Sequence, residues 1–507
     1  MRISTQSSER GNVLLCVLCT ILVVSIIGGN VLLNCMTRYN AAASQVRSWK
    51  ESLDAAETGG DIAYAEIRKT IQDPTQAFRP SNGWTYSGGA YTNSPVTYGK
   101  DNLRTNSRVD PFYYDGSGNA WYRIRTKGTA PVTGLKRVGM DDRMGPNTRG
   151  DTLLRKIDFN YDHFVATYGP NGDGVGKTLV PVVDPNGNPQ PQVSRRVELI
   201  AAPITPFEAA IKAGGTFYGL GSAAYIDSYR STTGAYNASV KTDPSDPRYV
   251  DARAGTVEIN SAIATVMGNI YGNLYTNGGT VTKNTTSITG IIDNNVPFSL
   301  SSFKMPSTSL WNFVSSPTAV TGNTNITPAA AGTPQSPNYY LLTSFATNGN
   351  LTVNPATVNG VVQETYVAVH VTGDIGGSSG QGPTVTIPAH VHLEVYFDGN
   401  FQTKAENIVN TSGYAGNLQF YGITPTDPNV QQTVDLNSGG GSNAGFAAVF
   451  YTPSANFTIN GGPDITGAIV CKNFYANGNV HWHYDRDLDH LGDAVDYRVI
   501  SYVEDVR

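Results

Sequence analysis

One ligand-like cluster lies near the end of the 507-residue chain: His481, His483 and His490 with Asp485, Asp487 and Asp489. On a strand, side chains two apart leave the same face, so His481 and His483 could share a zinc ion. The competing account is that VHWHYD closes the last turn of a larger element and the acids form a solvated bend. The segment DRDLDHLG lacks the glycine and the distal glutamate of a calcium loop, which favours the structural account. The expectation is therefore no metal, no cofactor and no catalytic residue.

Other stretches with the look of chemistry fail on context. GDGVGKT (Gly172 to Thr178) resembles a phosphate loop, but the residue five before Gly176 is Asn171 rather than glycine. No clean strand leads into it, and Leu179-Val180-Pro181 opens no helix whose N-terminus could hold phosphate. It is read as a glycine-rich turn. Arg149-Gly150-Asp151 spells an integrin tripeptide, to which three common residues give no weight. Glycoside hydrolysis needs two carboxylates across one groove, and Glu394 and Asp398 cannot be placed as such a pair from sequence. No nucleophile motif sits between a strand and a helix.

Charge narrows the classes further. No arginine occurs between Arg253 and Arg486, a stretch with four lysines and eleven acids. A phosphate-backbone surface needs clustered Lys and Arg, so this half is no nucleic-acid interface. The 54 glycines and 28 prolines, with 10% aromatics, favour many short strands and turns around a real core. Cys16, Cys19 and Cys35 fall in or beside an apolar segment and Cys471 is alone in the body, so no internal disulfide holds the exported part together.

The element that must position everything else is N-terminal. VLLCVLCTILVVSIIGG (Val13 to Gly29), continued by VLLNCM, gives about 24 uncharged residues, enough to cross a hydrocarbon core. Small-x-small cleavage and lipoprotein signals are absent: Leu15 and Leu18 stand before Cys16 and Cys19. Val46, Trp49 and Leu53 predict one apolar face on a continuing helix. Gly59-Gly60 predicts an interruption, after which Asp61 caps IAYAEIRKTI. Further on, Thr205-Pro206-Phe207-Glu208 reads as a capping box opening a short helix that Gly214-Gly215 stops.

The leader MRISTQSSERG, its following apolar run and Ala55-Ala56-Glu57 resemble the N-terminus of PilX-type minor pilins over roughly residues 7–70. The resemblance implies cleavage after Gly11 by a prepilin peptidase, with Asn12 first in the mature chain. Major pilins carry a glutamate five residues into the mature chain. Here that position is Cys16, which implies a rare, initiating or terminal subunit.

The C-terminal half alternates. Val385, Ile387, Ala389, Val391, Leu393, Val395 and Phe397 fall on every second residue, as do Val367, Val369 and Val371, and later Val449, Tyr451, Ala455, Phe457 and Ile459. Such alternation argues for strands with one buried face. Aligning Val449-Phe450-Tyr451 with Ile469-Val470-Cys471 gives an offset of 20, the length of one solenoid coil. Ala223 to Tyr229, the steps Gly268, Ile270 and Gly272, NGNVHWHYD and YRVISYVEDVR resemble a solenoid domain found behind PilX-like N-termini. In texture they are similar to bactofilin repeats.

The fold class expected is mainly β with a long N-terminal α-helix and a C-terminal β-solenoid. The divisions are a leader (1–11), a membrane or pilin-like helix with its extension (12–78), an α+β middle region (79–215), the solenoid (216–492) and a terminal strand (493–507). The function expected is a structural, non-enzymatic, pilin-like minor component of a type IV pilus or type II-like secretion assembly. It would be anchored in the inner membrane of a Gram-negative-type bacterium with its body periplasmic or extracellular. Its partners would be membrane lipid and other pilin-like subunits, and not nucleic acid. A membrane-anchored adhesin or scaffold is the alternative, and a polysaccharide-active β-helix enzyme the third reading.

Overall fold

A computed structural model describes residues 9–99, 103–115, 118–132, 192–260, 263–278, 280–283, 288–296, 298, 300–314, 319–377, 382–438 and 446–505. The glycine-rich turn at 172–178, the tripeptide at 149–151 and most of the leader lie outside these residues. The protein is mainly β behind one long N-terminal helix, and it divides into two compact units. The first comprises Met1–Asp115, Asn119–Pro203 and Asp496–Arg507; the second comprises Gly116–Gly118 and Ile204–Val495.

In the first unit, helix α1 runs unbroken over Glu9–Gln72, 64 residues. The predicted interruption at Gly59-Gly60 does not occur. A glycine inside a helix costs about 1 kcal/mol relative to alanine, and close approach to a sheet offsets that cost here. The buried residues of α1 are Ser48, Ser52, Ala55, Ala56, Gly59, Gly60, Ala63, Glu66 and Ile67. The helix lies on an antiparallel sheet ordered β1 (Trp84–Ser87), β2 (Ala90–Asn93), β4 (Leu103–Tyr114), β5 (Ala120–Pro131), β6 (Gln192–Ile204) and the terminal strand Asp496–Asp505, with β3 (Val96–Tyr98) also on β4. A Cβ at Gly128 of β5 would sit inside the contact distance of the Ser52 carbonyl oxygen and the Ala56 amide nitrogen, and 2.8 Å from the Ala55 carbonyl carbon.

Hydroxyls complete the seam. Ser48 donates to the Pro131 carbonyl at 3.0 Å, Ser107 to Gly59 at 2.8 Å and Thr126 to Ala56 at 2.7 Å. Small residues, rather than Val46 and Trp49, therefore make the packed face. Val46 is 66% exposed, and Trp49, 46% exposed, lies under the Arg195 guanidinium. Among the described residues of 79–215 the regular elements are strands and one 3-10 turn, and the helix their sheet packs on is α1.

In the second unit the capping-box helix is absent too. Residues 206–210 form turns and bends, and Ile211–Ala213 is a strand. The Thr205 hydroxyl bonds the Asp489 carbonyl at 2.6 Å instead of a helix amide. Phe207, Ala209, Ala210, Ile211 and Ala213 are all buried, which an amphipathic helix of that length would not allow.

The rest of this unit is a stack of parallel strands wound coil on coil. One column, buried up to its partly buried last member Ile292, runs Tyr340, Val369, Val395, Phe420, Phe450, Ile469, Ile211, Val257, Leu274, Ile292, each facing the next across a parallel pair. Val391, Leu393, Val395, Phe457 and Ile459 are buried as the alternation predicts. The register differs from the expected offset of 20. Phe450 faces Ile469, an offset of 19, and Phe457 faces Phe474, an offset of 17, with a register shift between Thr452 and Asn456. A one-residue slip exchanges faces. Phe450 is thus in the stacked column, ring on ring with Phe420 at 4.6 Å, and Tyr451 lies on the opposite face. Asparagine ladders bind successive coils at the corners: Asn460 donates to Asn437 at 2.9 Å and Asn477 to Asn460 at 3.0 Å.

The column order shows that the chain enters this stack in its middle. Residues 211–213 lie between 257–259 and 469–471. The chain winds from 211 out to 292, and residues 300–314 then cross the outside of the stack. Phe303 covers Tyr451, Tyr421 and Tyr396, and Trp311 reaches Tyr396 and Tyr339. Asn312–Phe313 joins the far end beside Asn338 and Tyr339, and the chain winds back to dock 469–485 on 211–229.

Candidate functional site

His481 and His483 do leave the same face of a strand, His481–Asp485, because Trp482 points into the core, where its indole donates to the Gly467 carbonyl at 2.9 Å. The neighbouring strand Tyr225–Tyr229 places Tyr225 beside His481 and Asp227 beside His483. The two imidazoles turn to different partners. His481 Nδ1 bonds Asp464 at 2.7 Å, and its ring stacks on Tyr225 at 4.2 Å. His483 Nδ1 bonds Asp227 Oδ1 at 2.7 Å, and its ring stacks on Tyr236 at 3.7 Å. Asp227 accepts twice more on Oδ2, from the Tyr236 hydroxyl at 2.7 Å and from Lys241 Nζ at 2.8 Å. The Lys241 ammonium lies 3.5 Å from the Tyr225 ring centroid. Asp227, His483 and Lys241 are all buried. Burial, then the Asp227 charge, pushes the Tyr236 hydroxyl far above its usual range.

The acids of the same segment are engaged by the loop over 230–256. Asp485 accepts from the Ser231 amide at 3.1 Å, and Asp487 from the Thr232 amide at 2.7 Å and the Ser231 hydroxyl at 3.0 Å. Arg230 and Arg486 share Asp251 at 3.0 and 2.6 Å. Burial pushes Asp485 and Asp489 upward. For Asp487 burial acts in the same sense, but the Thr232 and Ser231 bonds outweigh it and hold the carboxyl below its usual range. His490 ends the 3-10 turn Arg486–His490. Among the described residues, no three His, Cys, Asp or Glu side chains are placed to hold a metal ion. The cluster is a clasp: it ties the first coil and its loop to the last coil.

Two further polar groups lie outside this cluster. Glu364 takes hydrogen bonds from His390 and, at 3.1 Å, from His392, with His390 in a left-handed conformation, φ 64°. His392 lies on the strand Val391–Phe397 and His390 in the turn before it, so strand alternation alone does not bring both rings to Glu364. Glu394 is the other. Burial raises its carboxyl while the Tyr396 hydroxyl donates to it at 2.6 Å. Nothing in the sequence distinguishes it from an ordinary outward strand residue.

The second candidate surface is α1 itself. Large apolar side chains from Leu15 to Met36 are 48–67% exposed, and this is the one described helix long and apolar enough to cross a membrane. Gly11 and Asn12, the predicted processing residues, lie in the first turns of α1.

Residues 319–491 match a domain family of unknown function, DUF7305. No curated protein matches the chain. Among solved structures, the competence-associated pilin ComZ of Thermus thermophilus is similar at 12% identity, over 90% of this chain and 97% of that one, with a TM-score of 0.22. That score is too low to speak for a shared fold.

Proposed function

We propose that the protein is a structural, pilin-like minor component of a type IV pilus or type II-like secretion assembly, carrying a β-solenoid outside the inner membrane. The observation that supports this most is the division of labour along α1. Its first half presents apolar side chains all round, and its second half presents a stripe of small residues to an antiparallel sheet. Before assembly the apolar half resides in lipid; in an assembly the helices of other pilin-like subunits take the place of lipid. The wound second unit, with its ladders and clasp, is a rigid body suited to projection, and the reading gives it no catalytic role.

The leader is short and carries Arg2 and Arg10, so it stays on the cytoplasmic side. Prepilin peptidase cuts after Gly11 and leaves Asn12 first. Mass spectrometry of the N-terminus of membrane-extracted protein, from a strain with active peptidase, tests this. The mature chain begins at Asn12, and Gly11→Val restores the full-length mass. An intact Met1 or Arg2 terminus would sink the assignment and leave the alternative, a membrane-anchored adhesin or scaffold. Cys16, where major pilins have an acid, fits a rare, initiating or terminal subunit rather than a repeating one.

A further inference from the structure

We propose that Asp227 and Lys241 are joined by an intramolecular amide bond in the mature protein, fastening the loop over 230–256 to the coil beneath it. Lys241 Nζ and Asp227 Oδ2 are 2.8 Å apart, with side chains only 9% and 1% exposed. A buried ion pair gives up the solvation of both charges, whereas an amide carries no charge. The lysine is held on its target by the face of Tyr225 at 3.5 Å and by Tyr271 at 5.3 Å. Holding two reacting groups in place in this way corresponds to an effective concentration of about 10⁵–10⁸ M in well-oriented intramolecular reactions.

The two oxygens of Asp227 are served separately, as the reaction requires. His483 Nδ1 donates to Oδ1 at 2.7 Å, since a carboxylate can only accept. The Tyr236 hydroxyl lies 2.7 Å from Oδ2 and 3.4 Å from Lys241 Nζ. The ammonium passes one proton to Oδ2, leaving a neutral amine and a carboxylic acid. The carboxyl turns its face to the amine, whose lone pair forms the N–Cγ bond. The charge that develops on Oδ1 is stabilised by the His483 N–H. The Cγ–Oδ2 bond breaks as the surplus proton on nitrogen reaches Oδ2 through the Tyr236 hydroxyl, and water leaves. One ammonium and one carboxylate become one amide and one water, with nothing oxidised or reduced. Another buried lysine of this unit, Lys212, makes the contrast. It lies between two carboxylates, Glu258 at 3.0 Å and Glu208 at 3.2 Å; burial disfavours its charge, but the two carboxylates outweigh burial and raise its pKa.

The test is a tryptic digest of full-length protein extracted from membranes. An amide at Lys241 blocks cleavage there. The expected product is residues 213–230 linked to 231–248, one water lighter than the two peptides together, and absent from Lys241→Arg. Tyr236→Phe lowers the linked fraction in freshly made protein by about 10-fold or more, as loss of a proton-transfer group does. Cleavage after Lys241 in the wild-type protein, with both peptides at their unlinked masses, would overturn the proposal. That result would leave the pilin-like reading standing, because that reading depends on the N-terminus and not on this bond.

Discussion

The close seam between α1 and β5 makes Gly128 the most sensitive single position in the first unit. A methyl group there meets the backbone of Ser52, Ala55 and Ala56, not the tip of a flexible side chain. Relief requires the helix to move off the sheet, which also stretches the Thr126 and Ser107 bonds to the helix carbonyls. Overpacking of this kind costs about 1–3 kcal/mol. At tenfold per 1.4 kcal/mol, Gly128→Ala should speed amide exchange across residues 52–67 by about 5- to 150-fold. Hydrogen exchange by mass spectrometry on detergent-solubilised full-length protein reads this locally, which matters because a two-unit chain has no single melting transition. Gly28 is the control. A Cβ there meets nothing within 4 Å, so Gly28→Ala should leave residues 52–67 unchanged and strengthen the helix locally by about 1 kcal/mol. Wild-type exchange in Gly128→Ala would refute the claim that small residues set the helix–sheet distance.

Further outcomes are expected elsewhere. Phe450→Ala removes a ring from the buried column and should cost the second unit about 3–5 kcal/mol in urea unfolding. Phe303→Ser should cost about 1–2 kcal/mol and make the chain cleavable at Lys304 by trypsin under native conditions, since Phe303 fastens the crossing segment to Tyr421 at 4.8 Å. Asp110 has a lowered pKa: burial opposes ionisation, but hydrogen bonds from Arg108 at 2.8 Å and Arg125 at 2.6 Å outweigh it. Its contribution to the first unit is therefore present above the ordinary aspartate value of about 3.9 and lost as pH falls through the lower folded value. Asp110→Asn should flatten that acid limb of stability against pH.

How far the sequence could be read depended on the range of the interaction. Period-two alternation is local, so Val391, Leu393, Val395, Phe457 and Ile459 were legible as core. Register is not local. The bulge between Thr452 and Asn456 changes the offset from 19 to 17 within one strand pair, and a single aligned offset of 20 hides it. The continuous α1 was misread at Gly59-Gly60 because propensity counts a glycine's cost but cannot see the Thr105 and Ser107 side chains it accommodates. The capping-box pattern at Thr205 failed for a related reason: parallel pairing of Ile211–Ala213 on both sides outweighed a local helix signal. In the candidate site, the shared face of His481 and His483 followed from strand geometry. Asp227 and Lys241, 240 or more residues away in sequence, could be placed beside them only by the docking of the last coil on the first.

That docking also accounts for the crossing segment. Strands are spaced about 4.8 Å apart, so a stack wound straight from Ile211 would carry its end some tens of ångströms from its start. Entering at mid-stack, winding out to Ile292, crossing over the outside and winding home lets every coil advance in one axial direction. The last coil still finishes beside the first. The Val495 amide consequently donates to the Ile204 carbonyl at 2.8 Å, so the second unit begins and ends one hydrogen bond apart. A domain with adjacent ends can be inserted between two neighbouring strands without opening their sheet, and β6 and the terminal strand are such neighbours. The Tyr396, Tyr421 and Tyr451 column under Phe303 is on this argument a consequence of topology. It is the surface that the returning chain must cover, and its aromatic character supplies the stacking energy that holds an otherwise irregular segment in place.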